Sequence, residues 1–119
     1  MKKLTELVQS GDWKNEKHVP VLHVEQKEDC LLVTAQVGEE IEHPNTLEHH
    51  IEWIKVFFQP EGFKFPIEVG SYNFSAHGEE EVLSKPYVQA CVKTDKKGVF
   101  YALSYCNIHG LWESFEEVK

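Results

Sequence analysis

Cys106 and His109, in the run Ser-Tyr-Cys-Asn-Ile-His-Gly-Leu-Trp from Ser104 to Trp112, form the pair whose types and spacing most directly suggest chemistry. Two intervening residues let a turn aim a thiolate and an imidazole at one ion, and Gly110 can take the positive φ that other residues resist. His43 and His49 bracket a second candidate segment, His-Pro-Asn-Thr-Leu-Glu-His. On one strand their Cα atoms would lie roughly 20 Å apart, and on a helix their side chains would diverge by about 120°. A folded-back loop is what brings both rings to one ion, and Pro44, Asn45 and Thr46 supply its turn chemistry. His18, in Glu-Lys-His-Val-Pro, completes four histidines set among turn residues and prolines rather than on an apolar face.

Four imidazoles and one thiolate exceed the four donors of a structural zinc site. Blue copper uses a weak axial thioether, and the only methionine is Met1. A non-haem iron with four nitrogen donors in a plane, one sulfur on the axis and an open sixth position fits the count. Backbone amides near Cys106, those of Ile108 and His109, are placed to donate to the sulfur. The other cysteines, Cys30 and Cys91, read as core positions of strands, and no Cys-x-x-Cys pair is present for a rubredoxin-like or zinc-ribbon site. His23, His50 and His77 carry no metal role in this reading, and Trp53, Trp112 and Phe115 read as core.

The elements that must position these residues are strands. In Leu31–Val37, Leu31, Val33, Ala35 and Val37 alternate against Leu32, Thr34 and Gln36, the pattern of a half-buried strand. Ile54, Val56 and Phe58 alternate in the same way, but Ile51 and Trp53 fall out of that phase, which predicts a bulge near Trp53. Further strands are expected in Pro-Ile-Glu-Val-Gly-Ser-Tyr-Asn-Phe, Tyr-Val-Gln-Ala-Cys-Val-Lys-Thr, Val-Phe-Tyr-Ala-Leu-Ser-Tyr-Cys and Leu-Trp-Glu-Ser-Phe-Glu-Glu-Val. Lys96-Lys97-Gly98 reads as a hairpin turn between the second and third of these. Leu4 to Gln9 can form a short helix or lie extended. About seven short strands with hardly a helix predict an all-β, immunoglobulin-like antiparallel sandwich, and loops at its ends are where sites are mounted.

Composition is consistent with one globular domain over 1–119, at 41% hydrophobic, 12% aromatic and 27% charged residues. A net charge of −8 with no basic stripe argues against nucleic-acid binding. Thr5, Glu6, Gln9 and Ser10 interrupt any apolar run behind the N-terminal lysines, and no span reaches membrane length, so a cytoplasmic protein with no membrane association is expected.

The strings Glu-Lys-His-Val-Pro-Val, Glu-His-Pro-Asn-Thr-Leu-Glu-His-His-Ile-Glu-Trp-Ile and Ser-Tyr-Cys-Asn-Ile-His-Gly-Leu-Trp-Glu-Ser together resemble the three signature segments of one-iron superoxide reductases. These are also called neelaredoxins and are similar to the C-terminal domain of desulfoferrodoxin. The resemblance runs from about Trp13 to Glu113, nearly the whole chain. It implies an immunoglobulin-like sandwich with one mononuclear iron per chain, held by His18, His43, His49 and His109 in the equatorial plane and by axial Cys106. It implies Glu16 and Lys17 as the catalytic pair facing the open position. The activity implied is one-electron reduction of superoxide to hydrogen peroxide without dismutation, with electrons from a rubredoxin-like donor. A homo-oligomer, a tetramer by resemblance, is implied as well. The competing class is an iron electron-transfer module with no substrate, whose centre would be closed at the sixth position.

Overall fold

The computed structural model describes residues 1–119. Seven strands follow in chain order: β1 Pro20–Gln26, β2 Leu31–Val37, β3 Ile51–Pro60, β4 Ile67–Asn73, β5 Tyr87–Val92, β6 Gly98–Cys106 and β7 Gly110–Val118. They pair antiparallel into a three-stranded sheet, β1-β2-β5, and a four-stranded sheet, β4-β3-β6-β7. The two layers make the predicted sandwich, and helix is confined to two 3-10 turns at Leu4–Glu6 and Glu79–Glu81.

Alternation explains why these segments are strands. Along β2 burial switches strictly with period two, so Leu31, Val33, Ala35 and Val37 line the interior. From the facing sheet Ile54, Val56, Phe58, Phe100 and Ala102 meet them, and Ile54 and Phe100 are wholly buried. Burial of side chains of this size contributes about 1.5–3 kcal/mol each, so the layer contact rather than any single bond holds the sandwich together.

The expected bulge is present. Ile51 pairs with Cys106 and Trp53 with Tyr105, which leaves Glu52 as the extra residue in the β3–β6 ladder. The slip lets Ile51 turn inward beside Cys106 although it is out of phase with Ile54.

Three sequence expectations require correction. Lys96-Lys97-Gly98 is not a hairpin turn, because β5 and β6 belong to different sheets and the chain crosses between layers there. Cys30 and Cys91 are not core residues: Cys30 is half-buried and Cys91 exposed, because Val88 faces inward on β5 and its neighbours of opposite parity point out. Phe115 is exposed at 65%, on the outer face of β7, and is not core.

Strand direction brings the sites to one end. β1 starts just after His18, β3 starts just after His49, β6 ends at Cys106, and β7 starts just after His109. Antiparallel pairing of β3 with β6 and of β6 with β7 makes three of these termini neighbours. The hydroxyl of Ser114 donates to the Pro20 carbonyl and ties the start of β1 to β7.

Candidate metal centre

His18 and its neighbours lead into β1 with the ring buried between partners. Its Nδ1 donates to Glu16 Oε1 at 2.6 Å, and the same carboxylate oxygen accepts from the His18 backbone amide at 3.2 Å. These bonds hold the Glu16 carboxyl below the usual carboxylate range. Because Nδ1 carries the proton, Nε2 is the bare nitrogen, and it lies 3.0 Å from His109 Nδ1. The Trp112 indole lies nearly parallel to the His18 ring, 5.0 Å between centroids and 13° between planes. It forms one wall of the site.

His43 sits in the β2–β3 connection. Gly38, at φ +91°, lets that connection fold close: a Cβ there would stand 2.6 Å from the His43 amide nitrogen. His43 Nδ1 is 2.7 Å from the Pro44 carbonyl, which can only accept, so Nδ1 donates and Nε2 is left bare. That Nε2 is buried and has no hydrogen-bond partner.

His49 is held by a short turn in which Thr46 Oγ1 accepts from the His49 amide at 3.0 Å and the Thr46 amide donates to the His49 carbonyl at 2.9 Å. His49 Nε2 is likewise buried without a partner. The His49 ring lies 4.8 Å from that of His43 and 5.0 Å from that of His109.

Burial disfavours the charged form at both residues and lowers their pKa values. That of His43 falls to about 4, with the neighbouring His18 and His49 adding to the effect. That of His49 falls for the same reason, with His109 and His18 as neighbours. Neutral imidazoles with bare nitrogens are the form that binds a metal.

Cys106 ends β6 fully buried, and the His109 amide donates to its sulfur at 3.4 Å, as expected; Ile108 makes no such bond. Gly110 has φ +84°, which closes the turn between β6 and β7. The donor atoms of His18, His49, Cys106 and His109 all lie within 4.8 Å of one another. The His43 ring joins them at 4.9 Å from that of His18 and 4.8 Å from that of His49.

This set fits a transition metal. Two nitrogens at about 2.1 Å from one ion and at right angles would be about 3.0 Å apart, the His18–His109 separation. The two orphaned nitrogens supply the stronger argument, because a buried polar atom without a partner costs about 1–3 kcal/mol unless something binds it. Imidazole and thiolate donors together suit zinc, copper or iron rather than magnesium or calcium.

Lys17 is half-buried between Glu16 and His18 in the chain, and its charge adds to the lowering of the His43 and His49 pKa values. Three residues not assigned to the site from sequence support it. Asn107 bridges the His43–His49 loop and the Cys106–His109 turn: its Oδ1 accepts from the His50 amide at 2.9 Å, its Nδ2 donates to the Glu48 carbonyl at 3.0 Å, and its own amide donates to the His50 carbonyl at 3.2 Å. Gln9 Nε2 donates to the His109 carbonyl at 2.7 Å, and Trp112 Nε1 donates to the same oxygen at 3.2 Å. The position of Asn107 between Cys106 and His109 was a visible signal. Nothing local links Gln9 to a turn one hundred residues away.

Comparison with known proteins agrees with this picture. The desulfoferrodoxin family matches residues 10–115. A superoxide reductase of Pyrococcus horikoshii is 55% identical over 111 residues, 93% of this chain and 95% of its own. Among solved structures, an oxidised superoxide reductase superposes with a TM-score of 0.92 at 48% identity, covering 98% of this chain and 100% of that one. The reduced superoxide reductase (neelaredoxin) of Archaeoglobus fulgidus gives a TM-score of 0.91 at 47% identity, covering 95% and 98%.

Proposed function

The chain belongs to the desulfoferrodoxin family and acts as a superoxide reductase, and we propose that the reaction runs at a single iron held by His18, His43, His49, His109 and Cys106. The observation that carries this assignment is the pair of buried, unpartnered Nε2 atoms of His43 and His49 beside the cluster formed by His18, Cys106 and His109.

In the reaction superoxide gains one electron and two protons and leaves as hydrogen peroxide. Iron bound there would supply that electron by one-electron ferrous–ferric chemistry. The chain's own residues do the rest. His43, with its proton fixed on Nδ1 by the Pro44 carbonyl, presents Nε2 permanently as a donor. Glu16 does the same for His18. The His109 amide partly offsets the negative charge of the Cys106 sulfur, which tunes how readily the centre gives up an electron. Trp112 covers one side of His18 and limits water on that face.

Superoxide is an anion approaching a chain of net charge −8, so its capture needs a local positive charge. Lys17 provides it and positions the proton delivered to the substrate. Glu16 is held on His18 Nδ1 at 2.6 Å, so it would have to give up that bond before its carboxylate could serve the substrate directly. A rubredoxin-like one-electron donor restores the ferrous form, and the working unit is a homo-oligomer. No helix is long and apolar enough to cross a membrane.

Rapid mixing of the reduced, iron-loaded protein with superoxide tests this reading. Stoichiometric hydrogen peroxide without oxygen release is expected, together with a visible thiolate-to-metal absorption in the oxidised protein. A protein that purifies with zinc, or that stays inert toward superoxide when reduced, overturns it.

A further inference from the structure

Away from the metal centre the chain holds one other pair of nucleophilic side chains, and the fold brings them together from distant parts of the sequence. β2 and β5 pair with Leu32 opposite Cys91 and Leu31 opposite Val92. Cys30 immediately precedes β2, and continuing the register by one residue places it on the same face as Leu32 and diagonally across from Cys91. Cys91 is exposed and Cys30 is half-buried. The neighbouring Cys91 thiol first, and burial second, push the Cys30 pKa up to about 11. Cys30 also lines a surface cleft with Gln26, Asp29 and Lys93, which opens it to small solutes, as exposure does for Cys91. The location is the end of the sandwich opposite His18 and Cys106, since β1 and β6 both run the length of the sheets between them.

We propose that Cys30 and Cys91 are a redox-active dithiol that hydrogen peroxide closes into an intrachain disulfide. Exposed Cys91 is the attacking thiol: its thiolate displaces hydroxide from the peroxide, the O–O bond breaks, and Cys91 becomes a sulfenic acid while one water is released. Cys30 then gives its proton to the departing hydroxyl as its sulfur attacks the sulfenic sulfur, so the S–O bond breaks, the S–S bond forms and a second water is released. The two sulfurs lose two electrons in total and the peroxide is reduced to two waters. Hydrogen peroxide is the product of the reaction assigned above, so the oxidant is generated by the protein itself. β5 is an edge strand whose only ladder partner is β2, and the new bond fastens it there. The dithiol therefore records accumulated peroxide as a stiffening of that edge.

The test adds reagent hydrogen peroxide to the iron-loaded protein, alkylates the remaining thiols and maps the peptides. Since the peroxide is supplied directly, the outcome is independent of superoxide turnover. A Cys30–Cys91 cross-linked peptide is expected, reversed by dithiothreitol, with a higher thermal midpoint in the oxidised protein. Cys30→Ser should stop at a Cys91 sulfenic acid that dimedone traps, and Cys91→Ser should leave Cys30 alkylatable after peroxide. Separate alkylation of both cysteines in the wild type, or equal dimedone labelling of Cys91 in the wild type and Cys30→Ser, overturns the proposal.

Discussion

Two pairs of histidines, His50 with His77 and His43 with His49, have their ring nitrogens treated in opposite ways by the fold. His50 and His77 stack with centroids 3.5 Å apart and planes 5° from parallel, both buried. His50 Nδ1 contacts the Thr46 carbonyl at 2.8 Å and Nε2 contacts Glu52 at 2.9 Å; His77 Nδ1 contacts Asn45 Oδ1 at 2.9 Å. Burial opposes charge on His50, but Thr46 and Glu52 outweigh it and raise its pKa. His43 and His49 have burial without that compensation at Nε2, and their pKa values fall. A histidine whose buried ring nitrogens find partners, as in His50, is part of the scaffold, whereas one left with a buried bare nitrogen is kept for something the chain does not itself contain.

The strongest way to break that distinction is to remove a donor from each group. Cys106→Ala or His49→Ala should cut the rate of superoxide reduction by more than the roughly 10–100-fold typical of losing a ligand's supporting partner, with matching loss of iron by elemental analysis. His50→Ala should instead retain iron and lower stability by about 1–3 kcal/mol in a denaturant titration, because it strips partners from Thr46 and Glu52. Equal iron loss in His49→Ala and His50→Ala would erase the difference between the two groups.

A pH titration sharpens the same contrast. With the metal chelated away, His43 titrates near 4 when folded and near 6.5 when unfolded, so between those values the unfolded chain binds more protons. Its contribution to stability is therefore present above about pH 6.5 and declines as the pH falls toward about 4, by on the order of 2–3 kcal/mol. His43→Leu should flatten that part of the stability profile; an unchanged profile would show that His43 does not dominate it.

Smaller effects are expected from residues that act on the site without donating to it. Asn107→Ala should weaken iron affinity about 10-fold, measured by competition with a chelator, because it releases the β2–β3 loop from the Cys106–His109 turn. Lys17→Ile should slow superoxide capture a few-fold and flatten its dependence on ionic strength. An unchanged second-order rate constant would remove Lys17 from the scheme.

Much of this was legible before any coordinates. The strict alternation in Leu31–Val37 and the phase break before Ile54 translated directly into a half-buried strand and a bulge, because period-two burial leaves its mark residue by residue. The turn at Gly110 and the loop around Pro44 were readable from backbone preferences alone. The hairpin expected at Lys96-Lys97-Gly98 failed for a different reason: a turn-forming tripeptide does not reveal whether the next strand joins the same sheet or the facing one. Cys91 has a residue type that suits a core, yet its parity on β5 points it outward, which the residue type by itself does not reveal.

Local chemistry in the chain therefore determined where strands run, where they break, and which side chains can bind a metal. Only the packed sandwich decided which of those side chains meet. Glu16 and Pro44 set the proton positions on His18 and His43 locally, but the burial that leaves the His43 and His49 nitrogens bare and the Asn107 and Gln9 links depend on atoms far apart in sequence. Pairing register and layer contact set those distances. They arise from burial summed over both sheets, which no short stretch of residues encodes by itself.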